Sequence, residues 1–365
     1  MPSQINEYTP DIVSPPGETI LETIEEYGMS QAELADRMGR PKKTINEIIK
    51  GKAAISPDTA IQLERVLGIP ARFWMNREQQ YRESIARLAE RDRLHGYGNW
   101  LSNLPVDEMV KLKWIRGFSD SAMQVEEVLN YFAIVSPRQW DEVWLNPKVA
   151  FRKSLRFSSS PGALAAWLRK GEIDAQAIHC LPYDSGKFGD ALKEIKTLTS
   201  DTSDIFEPRM KHLCAQAGVA VVLVPQLSQT KVSGATRWIG PDKALIQLTL
   251  RYKKNDQFWF SFFHESGHIL LHGKRDVFID DDDHDDPQLD EEKEQEANDF
   301  AANFLIDPDR YAHFVDSQKM ISKAAIRQFA TSQNIAPGIV VGRLQHDGHL
   351  PYTHCNDLKQ TFTWA

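Results

Sequence analysis

The sequence predicts a mainly α protein with a small α+β domain, arranged in three parts. An N-terminal bundle of short helices spans residues 1–94 and a helical connector spans 95–200. Residues 201–365 form a domain in which a short β-sheet lies beside a buried, histidine-bearing helix, followed by a helical extension. Three observations carry this reading. Helix start and stop signals follow one another closely between Gly17 and Leu67. Two runs rich in β-branched residues, 218–225 and 244–250, precede a long apolar run at 257–271. At 365 residues, the chain exceeds what a single core usually serves.

The first part reads as helix over Gly17–Tyr27, then over Gln31–Met38, where Ser30 is the N-cap and Glu33 holds the capping-box position. Gly39 makes a turn, Pro41–Ile49 forms the next helix, Gly51 ends it, and Pro57–Leu67 supplies another. With Ala35 in the first partner helix and Gly39 at the turn, this is the helix-turn-helix pattern. Arg37, Arg40, Lys42, Lys43, Lys50 and Lys52 make a local basic patch in a chain of net charge -8, which otherwise argues against broad coating by nucleic acid. Thr44 and Asn46 are the candidates for base edges, Lys42, Lys43, Lys50 and Lys52 suit phosphates on double-stranded DNA, and Gln31 is expected among the DNA-binding residues.

The connector alternates short amphipathic helices at Leu104–Phe118, Val125–Phe132, Trp140–Trp144 and Ala163–Arg169, whose aromatic residues belong to a core. Beyond it, the strands 218–225 and 244–250 are joined through Ser233–Trp238. Asp256 is the expected N-cap of a helix over Gln257–Leu271, apolar nearly all round and therefore buried. Ser261, His264, Glu265, His268 and His272 interrupt that apolar surface along one side.

His264 and His268, four apart on a helix, lie one turn apart on one face and can reach the same ion, while Glu265 is beside them to take a proton from a polarised water. The cofactor expected is Zn²⁺. His272 does not extend the series, because at about 1.5 Å per residue it lies about 12 Å from His264 along the axis. It is read as lining the site behind the ligands, or as a helix C-terminal histidine favoured by the dipole.

The third ligand is expected from a second helix, 289–306, whose apolar positions Ala297, Phe300, Ala301, Phe304 and Leu305 mark a buried stripe. Glu296, one turn before Phe300, extends that stripe and is the expected ligand, with Glu292 as runner-up. Asn298 and Asp299 are placed to orient a ligand or to lie on the helix shoulder. The aspartate-rich run Asp280–Asp286 reads as a solvated loop. Cys180, Cys214 and Cys355 show no paired spacing, so neither disulfides nor cysteine-bound zinc is expected. No apolar run approaches about 18 residues, and the N-terminus lacks a signal-peptide pattern, so a cytoplasmic protein without a membrane partner is expected.

Two resemblances sharpen these expectations. The run His264–His268, with Glu296-Ala297-Asn298-Asp299-Phe300-Ala301-Ala302 and Phe304-Leu305-Ile306-Asp307-Pro308, resembles the ImmA/IrrE family of bacterial metallopeptidases. The resemblance implies a zincin-like domain, His264, His268 and Glu296 as zinc ligands, Glu265 as general base, and cleavage of a regulatory protein. Pro16-Gly17-Glu18, the stretches Met29–Gly39 and Asn46–Lys52, and Ile69–Asn76 resemble the Xre-type helix-turn-helix of HigA-like antitoxins. That resemblance implies a nucleoid-associated homodimer on a two-fold operator, at its own promoter, with transcription regulation as the outcome. Two functions therefore stand: a DNA-binding regulator carrying a zinc endopeptidase that cleaves a partner protein, or a non-catalytic antitoxin whose zincin fold grips a cognate toxin.

Overall fold

The computed structural model describes residues 14–145, 160–228, 230, 232–249, 254–273, 278–281, 291–318 and 320–362. The chain divides into two compact units, one formed by residues 1–98 with 119–125 and the other by 99–118 with 126–365.

In the first unit, α1 (Pro16–Glu26), α2 (Gln31–Met38), α3 (Lys42–Ile49), α4 (Pro57–Leu67) and the long α5 (Ala71–His95) enclose a core that includes Ile20, Leu34, Ile45, Leu63 and Trp74. Ser30 accepts a hydrogen bond from the Glu33 amide at 3.2 Å and Gly39 closes α2 in a left-handed conformation, so the cap and turn read from the sequence form. Glu33 turns its carboxylate to Arg37. Pro41 occupies the N-cap of α3 instead of its first turn.

The second unit begins with α6 (Val106–Lys111), the later part of α7 (Ser121–Phe132), α8 (Pro137–Trp140), α9 (Pro161–Ala177), α10 (Ser185–Thr197) and α11 (Ser203–Gln216). A four-stranded sheet follows in the order β1-β3-β2-β4, from β1 (Val219–Val224), β2 (Val232–Gly240), β3 (Lys243–Thr249) and β4 (Phe278–Asp281). The β1–β3 pair is parallel, and β2 runs antiparallel to both β3 and β4. Between β3 and β4 comes α12 (Asn255–Leu271). After β4 come α13 (Glu291–Leu305), α14 (Pro308–Ser317), α15 (Lys323–Gln333) and α16 (Pro337–His346).

Both sheet faces are covered, which is why the strands read as continuous apolar runs and not as alternating ones. Val219, Val221, Ile246 and Leu248 face a core shared with Phe258, Trp259, Phe262 and Phe263 of α12. Ala220, Val222 and Leu245 face the opposite core, with Leu164, Trp167 and Leu168 of α9. Gln247 donates to the Trp167 carbonyl at 2.7 Å, and Arg237 donates to that of Leu168 at 2.7 Å.

Within residues 95–200, α9 packs on the second sheet face. Two expectations are corrected here. Ser233–Trp238 is not a joining segment but the middle of β2, a strand held on both sides by its neighbours. Asp280 and Asp281 end β4, whereas 282–286 of the expected loop lie outside the described residues.

Candidate metal centre and nucleic-acid interface

Helix α12 is held at its start by the C-terminal segment. Lys359 pairs with Asp256 at 2.5 Å, both side chains being nearly buried, and the Asn255 amide donates to the Gln360 carbonyl at 3.0 Å. Asp256 therefore lies inside the first turn, and Lys254 takes the N-cap position expected of it. One turn before the helix ends, Gly267 gives α13 its close approach: a Cβ there would stand 3.1 Å from the Phe300 ring and 3.3 Å from the Ala297 Cα.

This approach brings three donors together. The Nε2 atoms of His264 and His268 lie 3.0 Å apart, and Glu294 Oε2 lies 3.2 Å from the first and 3.5 Å from the second. Among the described residues these are the histidine and carboxylate atoms that converge closely enough to hold an ion. The fit to zinc is good, because ligands about 2.0 to 2.1 Å from a tetrahedral ion stand about 3.3 Å from one another. Both imidazoles turn their other nitrogens away from the site: His264 Nδ1 is 2.9 Å from Asn298 Oδ1, and His268 Nδ1 is 3.0 Å from His272 Nδ1. The Phe278 ring stacks on that of His268, with centroids 3.9 Å apart and planes 11° from parallel.

The convergent carboxylate is Glu294 and not Glu296. Relative to the Ala297–Ala301 stripe, which is fully buried, Glu294, Asn298 and Leu305 lie on one shoulder of α13, whereas Glu296 and Phe300 lie on the other. Glu296 does stand one turn before Phe300, but on that opposite shoulder its Oε2 meets His272 Nε2 at 3.0 Å. Glu292 is exposed. Asp299 lines the adjoining cavity and accepts a hydrogen bond from Gln295 at 2.8 Å. Sequence reasoning missed Glu294, although its spacing of four from Asn298 repeats that of the histidines and was the available signal.

Burial opposes charge on Glu294, yet the hydrogen bonds from His264 and His268 outweigh it and hold its carboxyl down to about 2. Burial is also the main influence on His268 and lowers its pKa, which favours the neutral imidazole that a metal requires. Glu265 is fully buried on the side of the helix that faces β2. A Cβ on Gly234 would fall 2.3 Å from Glu265 Oε1, so only glycine leaves room for this carboxylate, while Thr236 Oγ1 donates to the Glu265 carbonyl at 3.1 Å. A cavity of about 620 Å³ opens beside His264 and Glu294, with Phe260 and Ile339 on its apolar wall and Arg343, Tyr352 and Lys359 on the C-terminal side.

On the first unit, Ile45, Ile48 and Ile49 turn inward from α3, and Lys42, Lys43, Asn46 and Lys50 are exposed on its outer side. Lys52 follows in the exposed turn, whereas Gln31, at the start of α2, and Thr44 are half-buried. Lys43 is 4.0 Å from Glu47, an exposed pair of little energetic weight.

These features define a helix-turn-helix regulator joined to a domain with a candidate histidine–glutamate metal centre. Residues 20–74 match the helix-turn-helix family and residues 215–331 match the IrrE N-terminal-like domain, so the chain joins an Xre-like DNA-binding domain to an IrrE-like domain. It is 36% identical over 61 residues to the uncharacterized HTH-type transcriptional regulator YddM of Escherichia coli (strain K12), covering 17% of this chain and 65% of that one. Virulence-associated protein A of Dichelobacter nodosus is 32% identical over 59 residues, which cover 16% of this chain and 58% of that protein. The chain thus spans less than two thirds of either curated relative. Among solved structures, the Pseudomonas aeruginosa antitoxin HigA with the higBA promoter shows 32% identity over 22% of this chain and 90% of its own, with a TM-score of 0.22. A HigA-family addiction module antidote protein from Coxiella burnetii shows 27% identity, covering 24% and 88%, with a TM-score of 0.19. Among the described residues no helix is long and apolar enough to cross a membrane.

Proposed function

We propose that this DNA-binding regulator is also a zinc-dependent endopeptidase that cleaves a partner protein. His264, His268 and Glu294 would hold the Zn²⁺, and Glu265 would act as general base. The supporting observation is the convergence of three donor atoms at 3.0, 3.2 and 3.5 Å on the rim of a cavity, next to a buried carboxylate for which Gly234 leaves room.

When bound, the ion supplies Lewis acidity to the attacking water and to the scissile carbonyl. Glu265 takes the proton from that water and returns it to the leaving amide nitrogen. Asn298 keeps His264 turned toward the site by accepting, at its Oδ1, a hydrogen bond from His264 Nδ1. The apolar wall formed by Phe260 and Ile339 accommodates a side chain of the substrate.

On the DNA side, the reading is a homodimer on a two-fold operator at its own promoter, inside the bacterial cytoplasm, with the outer side of α3 in the major groove. The deciding experiment co-expresses wild type or Glu265→Gln with the neighbouring operon product and follows the masses of both proteins. Cleavage by wild type alone, with equal zinc content in both, is expected. If both leave every mass intact yet neutralise that product, the chain is a non-catalytic antitoxin that uses the domain as a scaffold.

A further inference from the structure

Arg40 stands where the turn after α2 passes into α3, and its backbone is fixed on both sides. Its amide donates to the Ala35 carbonyl at 3.0 Å, Gly39 before it is left-handed, and Pro41 after it holds φ at -61°. The half-buried side chain is fixed as well, because Nε donates to Gln62 Oε1 of α4 at 2.6 Å. Among the described residues that is its one side-chain hydrogen bond, and no carboxylate pairs with it.

The partner's chemistry matters. Gln62 is neutral, so it orients the guanidinium without cancelling its charge, whereas Arg37 on α2 meets the Glu33 carboxylate. The exposed lysines of α3 are point charges on flexible stems, suited to phosphates from many directions. With Nε of Arg40 engaged, its two Nη groups remain as a planar fork of donors. In the major groove only guanine sets two acceptors side by side, O6 and N7. In a helix-turn-helix, residues at the start of the second helix are the ones that meet base edges.

We propose that Arg40 reads a guanine in each half of the DNA site, and that Gln62 is the positioning residue that aims it. The proposal rests on the reading that places the outer side of α3 in the major groove, and it names the base which that surface selects.

The test uses the full chain and a pool of DNA duplexes with a randomised centre, from which the bound molecules are selected and sequenced. Wild type should enrich a guanine at one position of each half-site. Replacing that guanine should weaken wild-type binding by about 5- to 150-fold, the range for a bidentate pair. Arg40→Lys keeps the charge but not the fork, so this ratio should fall to near 1 while the dependence on salt stays as in wild type. Gln62→Ala, which leaves Arg40 in place, should blunt the preference at that position alone. A merely structural role for Gln62 would weaken binding to all duplexes alike. A wild-type motif without guanine overturns the proposal, as does an undiminished guanine preference in Arg40→Lys and Gln62→Ala. Uniform weakening by Arg40→Ala, with the salt slope lower by about 1, marks a phosphate contact and overturns it too. If wild type enriches no sequence, the placement of α3 on DNA fails, and the proposal fails with it.

Discussion

Replacing Glu294 by glutamine separates the site seen in the structure from the one that the α13 stripe suggested. Glutamine keeps the length and nearly the volume of the side chain, so the packing of Ala297 and Ala301 against α12 is undisturbed. It removes the charge that faces both histidines at 3.2 and 3.5 Å. A structural zinc site contributes about 10–16 kcal/mol over four ligands, or about 2.5–4 kcal/mol for each. At about 1.4 kcal/mol per tenfold, losing this ligand weakens binding by about 10²- to 10³-fold. Competition with a chromogenic chelator at pH 7.5 measures the change, and Glu296→Gln run in parallel should change the affinity little, since that carboxylate meets His272 and not the two facing imidazole nitrogens. Wild-type affinity in Glu294→Gln, or a larger loss in Glu296→Gln, would refute the assignment.

Gly234→Ala places a methyl group where Glu265 Oε1 now sits, so the protein should keep its zinc while cleavage drops by about 10²- to 10⁴-fold, the usual worth of a general base. Equal zinc with undiminished cleavage would show that Glu265 acts from another position. In metal-free protein, urea midpoints should fall as the pH drops from 7 to 4. The native state resists protonation of His268, whose pKa burial lowers, so the unfolded chain takes up the proton first near pH 6.5 and gains on the folded one. Glu294 acts in the same direction below about pH 4.5, the ordinary glutamate range, and its contribution is gone near pH 2. His268→Gln should flatten the first part of that profile, and a flat wild-type profile would contradict the burial argument. For the first unit, Lys42→Ala with Lys43→Ala should lower the slope of log affinity against log salt by about 2 in a promoter gel-shift titration, at about 0.9 per phosphate lost. An unchanged slope would move the DNA surface away from α3.

Much of this was legible because local chemistry and tertiary role agreed. Ser30 and Gly39 announce cap and turn within a few residues of one another, and the structure keeps both. The histidine helix announced itself through an apolar run too long and too uniform for a surface element. What stayed hidden was decided at a distance. The Ser-Gly-Ala-Thr stretch of β2 has weak strand propensity, and it is a strand because β3 and β4 flank it and Glu265 needs its glycine. Glu294 and Glu296 are chemically identical and two residues apart, so only the shoulder of α13 on which each falls separates them. Periodicity locates the stripe but not which of its two sides faces His264. The covering role of α9 was invisible for the same reason, since nothing in an amphipathic helix names the sheet it will cover.

The closure of α12 by the C-terminal segment has a consequence for synthesis. Asn255 and its partner Gln360 are 105 positions apart, and the Asp256–Lys359 pair spans nearly the same distance. At about 5–20 residues per second, the ribosome finishes the histidine helix about 5–20 s before it makes the residues that hold the start of that helix. The helix-turn-helix bundle, whose contacts are local, has its whole sequence available long before then. A nascent chain therefore presents the helix-turn-helix bundle while the histidine helix still lacks its N-terminal anchor, so the order of translation keeps the second unit incomplete until residues 359 and 360 are made.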